Sequence, residues 1–344
     1  MDDAARHHSA PHHSAPHQST AHHSTPRHST PHRATPHRAT PHAGPHEQER
    51  TRTRMRLHVV LPSESAAMAV RDLAGLARQA EELGYAGVWL PDHLLPPGPY
   101  GAPPQAYGGV YEPLAALAYL AAGTERIALG TSVLIAPLRE PLLLARQSAT
   151  LARLSGGRFV LGVGVGWQPY EFAAAGVGFG TRGARTDRAL RLVRHLHTGA
   201  GGPYDDGRVS FDERAVFEPV PEEPVPFLIG GNSDAALRRA AEFGGYWQGV
   251  GLTPGEFAER RRWFEREPAA GRSAAGAPHV AAGSRIAWDG PDRTLAEVTS
   301  EVADWEAAGA EDLGVWFGTV DGGFADRMRA LAEATGVAGG RITL

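Results

Sequence analysis

The chain has 344 residues, 34 basic and 38 acidic side chains, a net charge of −4 and no cysteine. This balance offers no basic field for phosphate backbones or anionic lipid, and the missing thiols exclude disulfides, thiolate zinc sites and cysteine nucleophiles. With no apolar run of bilayer length and no apolar signal core at the N-terminus, the expectation is a cytoplasmic protein that binds small molecules, not nucleic acid or membrane.

Residues 1–54 form a tail that repeats from His7 with a five-residue period (HHSAP, HHSTP, HRATP) and holds 12 of the 17 histidines. Polar and small side chains interrupted by proline bury no core, so this tail is expected to be disordered. Its imidazoles suit a metal-binding tract, but a plain low-complexity extension is the preferred reading. Met55 opens the first strand-like segment, MRLHVVLP, and the structured domain is expected over 55–344.

From Met55 onward, short apolar runs alternate with longer amphipathic stretches, the pattern of βα units around a parallel sheet. The predicted strands are 56–61, 87–90, 126–134, 158–166, 225–230, 246–250, 279–288 and 312–317. Between them run helical patterns: AAMAVRDLAGLARQAEELG, stopping at Gly84; EPLLLARQSATLARL, stopping before Gly156 and Gly157; and, after the last strand, GGFADRMRALAEATG. Eight repeats in this length predict a single (β/α)₈ barrel with long loops at its C-terminal face. The long connections are 94–111 and 199–224; loops of that length act as lids or substrate-binding segments when ordered.

Asp92 and His93 follow the second strand, on the face where barrel active sites form. A histidine there suits acid–base work near neutral pH, with a carboxylate to bias its charge. After the fifth strand, Gly230 and Gly231 lead through Asn232, Ser233 and Asp234 into a helical pattern. Glycines admit close approach and a helix N-terminus attracts anions, which reads as a phosphate seat, although the three polar residues equally suit N-caps. Gly162, Gly164 and Gly166 strip one face of the fourth strand, leaving room for a flat ring or serving tight packing. The run lacks the third glycine and the ribose-binding acid of a dinucleotide fold. His195 and His197 do not share a helical face and read as surface residues; Glu81-Glu82 and Glu222-Glu223 read as solvated acids.

Together, MRLHVVLP, AEELGYAGVWLPDH, the stretch from Arg126 to Trp167, RGARTDRALRLVR and PVPFLIGGNSDAALRRAAEFGGYW resemble the luciferase-like monooxygenase superfamily. The closest resemblance is to its coenzyme F420-dependent oxidoreductases. It implies a TIM barrel with the cofactor ring across the C-terminal mouth, against the ends of strands two to four. It implies that His93 is the acid/base or substrate-polarising histidine and Asp92 its cofactor-contacting neighbour. Ser132 and Val133 match a strand-three bulge that contains a non-prolyl cis peptide and supports the ring from behind. Gly230 and Gly231 match the pair that holds the cofactor phosphate; Asn232 and Gly164 join the expected cofactor-binding set. Where the sugar-phosphate dehydrogenase branch has a glutamate acid, this chain has Trp167, and it has no Lys for a substrate phosphate.

The expected function is hydride transfer between F420 and a small organic substrate, with His93 moving the proton. An FMN-dependent monooxygenase using molecular oxygen and a non-catalytic flavin-binding barrel are the alternatives on the same fold. A metal-dependent hydrolase built on Asp92 and His93 has only His58 and His279 as further barrel histidines, so no metal is expected. The resemblance leaves room for a homodimer.

Overall fold

The computed structural model describes residues 54–64, 68–95, 111–199, 202–266, 280–290, 292–318 and 323–337. The repetitive tail, most of the 94–111 connection and His279 lie outside the described residues. In chain order the strands are β1 (Arg56–Val60), β2 (Gly87–Leu90), β3 (Ala128–Thr131), β4 (Leu134–Ile135), β5 (Phe159–Gly164), β6 (Tyr204–Asp205), β7 (Ser210–Phe211), β8 (Phe227–Gly230), β9 (Gly245–Gln248), β10 (Val280–Ala287) and β11 (Asp312–Trp316). The helices are α1 (Val70–Glu82), α2 (Pro113–Ala121), α3 (Pro141–Leu154), α4 (Pro169–Ala174), α5 (Arg182–His197), α6 (Asp234–Phe243), α7 (Pro254–Arg261), α8 (Trp263–Arg266), α9 (Leu295–Ala307) and α10 (Phe324–Thr335).

Eight parallel strands neighbour one another in the order β3-β2-β1-β11-β10-β9-β8-β5, and β3 pairs with β5 to close the ring. All eight expected strands are among them. Their continuous burial is what a parallel sheet covered by helices requires. Leu57, Val59 and Val88 point outward to the helices, whereas Val60, Trp89, Val160, Leu228, Tyr246 and Ala281 fill the inside. Trp89 fits there because Gly130 faces it; a Cβ on Gly130 would lie 2.1 Å from the indole.

The helices begin and end where local chemistry stops them. α1 buries Leu73, Ala74, Leu76, Ala77 and Ala80, one face of a 3.6-residue period, and Gly84 turns the chain at φ +89°. In α3, Glu140 accepts the Leu143 amide with Pro141 at the first turn, the favoured N-terminal arrangement. The 199–224 connection is not a plain loop: β6 and β7 form a hairpin around Asp206-Gly207, with Tyr204 stacked on Phe211 and His195 packed against Tyr204.

At the N-terminal end of the barrel a polar plug replaces apolar filling. Asp312 takes two bonds from Arg56, at 2.7 and 2.8 Å, and one from His58 Nε2 at 2.6 Å. Burial opposes its charge, yet hydrogen bonding to His58 and to Arg56 holds the Asp312 carboxyl below its usual range.

Candidate active site

The opposite, C-terminal mouth collects the site residues. Asp92 and His93 leave β2 there and turn in different directions. Asp92 is 3% exposed; its Oδ1 accepts from Arg139 at 2.6 Å and its Oδ2 from the Ile135 amide at 2.8 Å. Burial pushes its carboxyl up and Arg139 opposes that shift. Arg139 also bonds Glu112, the N-cap of α2. Both Asp92 oxygens are thus taken by protein partners, and the side chain braces the segment around β4.

His93 Nδ1 lies 2.8 Å from Glu171 Oε2. Glu171, 2% exposed on the one-and-a-half-turn helix α4, also accepts the amides of Leu94 and Leu95, at 2.8 and 3.1 Å. A carboxylate can only accept, so this network assigns the proton of a neutral ring to Nδ1. Trp167 stands edge-on to the imidazole, ring centres 6.0 Å apart, and is 63% exposed.

The bulge after β3 has the expected cis peptide between Ser132 and Val133. Strand pairing slips by one residue across it, from Gly130 opposite Val160 to Leu134 opposite Val163. Ser132 Oγ donates to Gln248 at 2.7 Å, and the Ser132 carbonyl accepts from Arg285 at 2.8 Å. Val133 lies over Gly164 and Gly230, where added Cβ atoms would come within 2.6 and 2.8 Å of its methyls. Of the two readings of these glycines, tight packing holds: the space beside Gly164 is filled by Val133, that beside Gly162 by the Thr131 carbonyl, and that beside Gly166 by Ile135 and Phe172. Val133, not a bare strand face, is the apolar surface these glycines present.

Glu64, after β1, completes the charged lining. Burial raises its carboxyl pKa, opposed by the charges of Arg285 and His93. Burial lowers the pKa of the Arg285 guanidinium, with Glu64 opposing.

At the expected phosphate seat, Gly231 takes φ +126°, a conformation glycine alone enters freely. Its amide donates to the Gln248 carbonyl at 3.0 Å and its carbonyl accepts from Trp247 at 2.8 Å. Asn232, of the expected cofactor-binding set, pairs its side chain both ways with the Val250 backbone, at 2.7 and 3.0 Å. What remains for an anion is the first turn of α6, capped by Ser233, with Arg260 beside it bonded to Asp234 and the Asn232 carbonyl. This donor set fits a phosphate, and the apolar Val133 surface fits a flat ring.

Other expectations are corrected by packing. His197 is 2% exposed, with Nε2 on the Ala145 carbonyl at 2.9 Å, because the last turn of α5 closes on α3; burial lowers its pKa. Glu81 accepts the amides of residues 125–127 and so fixes the entrance to β3. His58 lies at the far end of β2 from His93, so the two histidines share no site. Glu171, Glu64, Arg139, Gln248 and Arg285 escaped the sequence reading; only Arg285, a charge inside an apolar strand, carried a usable signal.

The luciferase-like monooxygenase family matches residues 55–338. The chain belongs to this family. An uncharacterised protein of Mycobacterium tuberculosis is 36% identical over 188 residues, 51% of this chain and 64% of that protein. An F420-dependent glucose-6-phosphate dehydrogenase of Amycolatopsis mediterranei is 33% identical over 180 residues, 51% of each chain. The luciferase-like chain therefore spans between half and under two thirds of these relatives' lengths. Among solved structures, an F420-dependent secondary alcohol dehydrogenase with an F420-acetone adduct superposes at TM-score 0.66 with 16% identity, covering 82% of this chain and 98% of that one. The monooxygenase RslO1 of Streptomyces bottropensis also gives 0.66, at 19% identity, 81% of this chain and 98% of its own. These likenesses establish the barrel.

Proposed function

We propose that this luciferase-like protein is an oxidoreductase that works with coenzyme F420 on a small organic substrate, and that His93 moves the proton accompanying hydride transfer. The observation that carries the proposal is the His93–Glu171 pair at the barrel mouth, beside the cis-peptide bulge. The relatives named for F420 support the choice of cofactor. When bound, the deazaflavin supplies hydride chemistry.

The chain's own residues do the rest. Val133 backs the ring, held by Gly164 and Gly230, while Ser132 is pinned by Gln248 and Arg285. Asp92 and Arg139 hold that segment to β2. The first turn of α6 receives the phosphate, Gly230 and Gly231 lead the chain into that turn with Gly231 at φ +126°, and Asn232 keeps the turn in place through Val250. Glu171 fixes the His93 ring so that Nε2 exchanges the proton, and Trp167 walls one side. Positioning by prior hydrogen bonds lowers the reorganisation needed during reaction.

Parallel fluorescence titrations with F420 and FMN test this reading, with His93→Ala and Gly231→Asp as variants and thermal unfolding as the folding control. Selective F420 binding, kept in His93→Ala and lost in a folded Gly231→Asp, is expected. Selective FMN binding with oxygen-dependent turnover would replace it by a flavin monooxygenase, and binding of neither would refute both.

A further inference from the structure

The segment after β4 also borders α5 and the β6–β7 hairpin turn. There Pro137 and Arg139, Arg185 and Arg188 of α5, and Asp206 and Arg208 of the hairpin turn line a pocket of about 400 Å³. Arg185 Nε donates to the Pro137 carbonyl at 3.0 Å, which sets its guanidinium in the wall. Arg139 is committed to Asp92 and Glu112. Arg188 and Arg208 have no side-chain hydrogen bond or close ion pair among the described residues.

The acids of the lining neutralise them only in part: against the effect of burial, backbone amides and then the charge of Arg188 hold the Asp206 carboxyl low, so Asp206 faces Arg188. Glu140 turns to the Leu143 amide at 2.7 Å, and Asp206 accepts the amides of Arg208 and Val209, both at 2.9 Å. Burial first, and then the charges of Arg208 and Arg188, lower the pKa of the Arg185 guanidinium. Arg185, Arg188 and Arg208 outnumber Asp206, the one acid facing them; an anion relieves such an excess, and guanidinium forks match carboxylate and phosphate oxygens.

We propose that this pocket is a second anion seat, distinct from the first turn of α6, for a ligand bearing carboxylate or phosphate groups. Two sources share that chemistry: the acidic tail of the cofactor, which rests on the F420 reading above, and a free anionic metabolite, which does not. The chain from Val133, which backs the ring, to Pro137, at the pocket, spans at most about 14 Å. A tail leaving the mouth over this short segment reaches Arg185 and Arg188.

The test uses the full chain, calorimetric titration at low and high salt, and three probes: inorganic pyrophosphate, F420 with a single glutamate, and F420 with a long glutamate tail. The variants are Arg188→Ala with Arg208→Ala, and Arg188→Lys as the conservative rescue; thermal unfolding reports their folding. Pyrophosphate binding about tenfold weaker in the double variant, and partly restored by Lys, is expected. A tail-length preference present in the wild type and absent in the double variant identifies the cofactor tail as occupant. No such preference, with pyrophosphate binding still lost, identifies a free anion. If no F420 species binds the wild type but pyrophosphate binding is lost in the variant, the cofactor reading falls and the pocket stands. Equal binding of every probe by wild type and double variant overturns the proposal.

Discussion

Replacing Glu171 by Gln isolates the role of the carboxylate with the least disturbance of shape. An amide oxygen still serves the Leu94 and Leu95 amides, 2.8 and 3.1 Å away, but the NH₂ group now meets His93 Nδ1, 2.8 Å from the lost oxygen. Two donors cannot share a hydrogen bond, so the neutral ring must move its proton to Nε2. Flipping the amide is no escape, because its NH₂ would then face two backbone donors. A hydrogen bond to an ionised group contributes about 1.5–3 kcal/mol net, which corresponds to a tautomer ratio changed roughly 10- to 150-fold. Nitrogen NMR of the imidazole at alkaline pH reads the tautomer without knowledge of the substrate. The wild type should show Nδ1–H and Glu171→Gln should show Nε2–H, with the unfolding temperature lowered by less than about 4 °C. With F420 and a turned-over substrate, kcat should fall about 10- to 100-fold while cofactor affinity holds. Nε2–H in the wild type, or Nδ1–H in the variant, would refute the assignment of roles.

Gly230→Ala places a methyl 2.8 Å from Val133 and should cost about 1–3 kcal/mol by overpacking; Val133→Ala in the same chain should recover part of it in denaturant unfolding, and additive losses would contradict the contact. Asp92→Asn keeps an acceptor for the Ile135 amide but turns its NH₂ to the Arg139 donor, so the bond to Arg139 is lost. It should lower stability by about 1–3 kcal/mol with an unchanged m-value. The Asp312 carboxyl is depressed in the folded state, so its contribution is present above its unfolded pKa, about 3.9, and lost as pH falls through the folded value. The stability gap between wild type and Asp312→Asn should therefore be widest near neutrality and narrow on acidification; a gap that widens in acid would reverse the sign of this linkage.

The strands were legible because a parallel barrel buries both faces of each one, and runs such as RLHVV and FVLGVG record that burial directly. Helix ends were legible where glycine took a positive φ, as at Gly84 and Gly156. The partners of the site residues were not. Arg139 meets Asp92 across 47 positions and Arg285 meets Ser132 across 153, separations at which a single sequence carries no pairing signal. Glu171 sits on a helix too short to show a period. His197 carried a signal that was missed, since it continues the buried four-residue series of Ala189 and Val193. Gly164 was read from the alternating glycines of its strand and Asn232 from its place between the glycine pair and the helix, and their contacts, to Val133 and Val250, lie outside such local patterns.

The pairing of β1 with β11 also bears on how the chain is threaded. Arg56 stands opposite Asp312, and Arg54 Nη1 reaches the Gly336 carbonyl at 2.6 Å. The two ends of the barrel sequence are therefore neighbours, and each of the eight strands of the ring has a partner on each side. In energetic terms such a ring has no first strand. Joining its ends through a short linker and opening an exposed turn elsewhere would preserve each strand pair, so a circularly permuted chain should reach the same barrel from a different starting point.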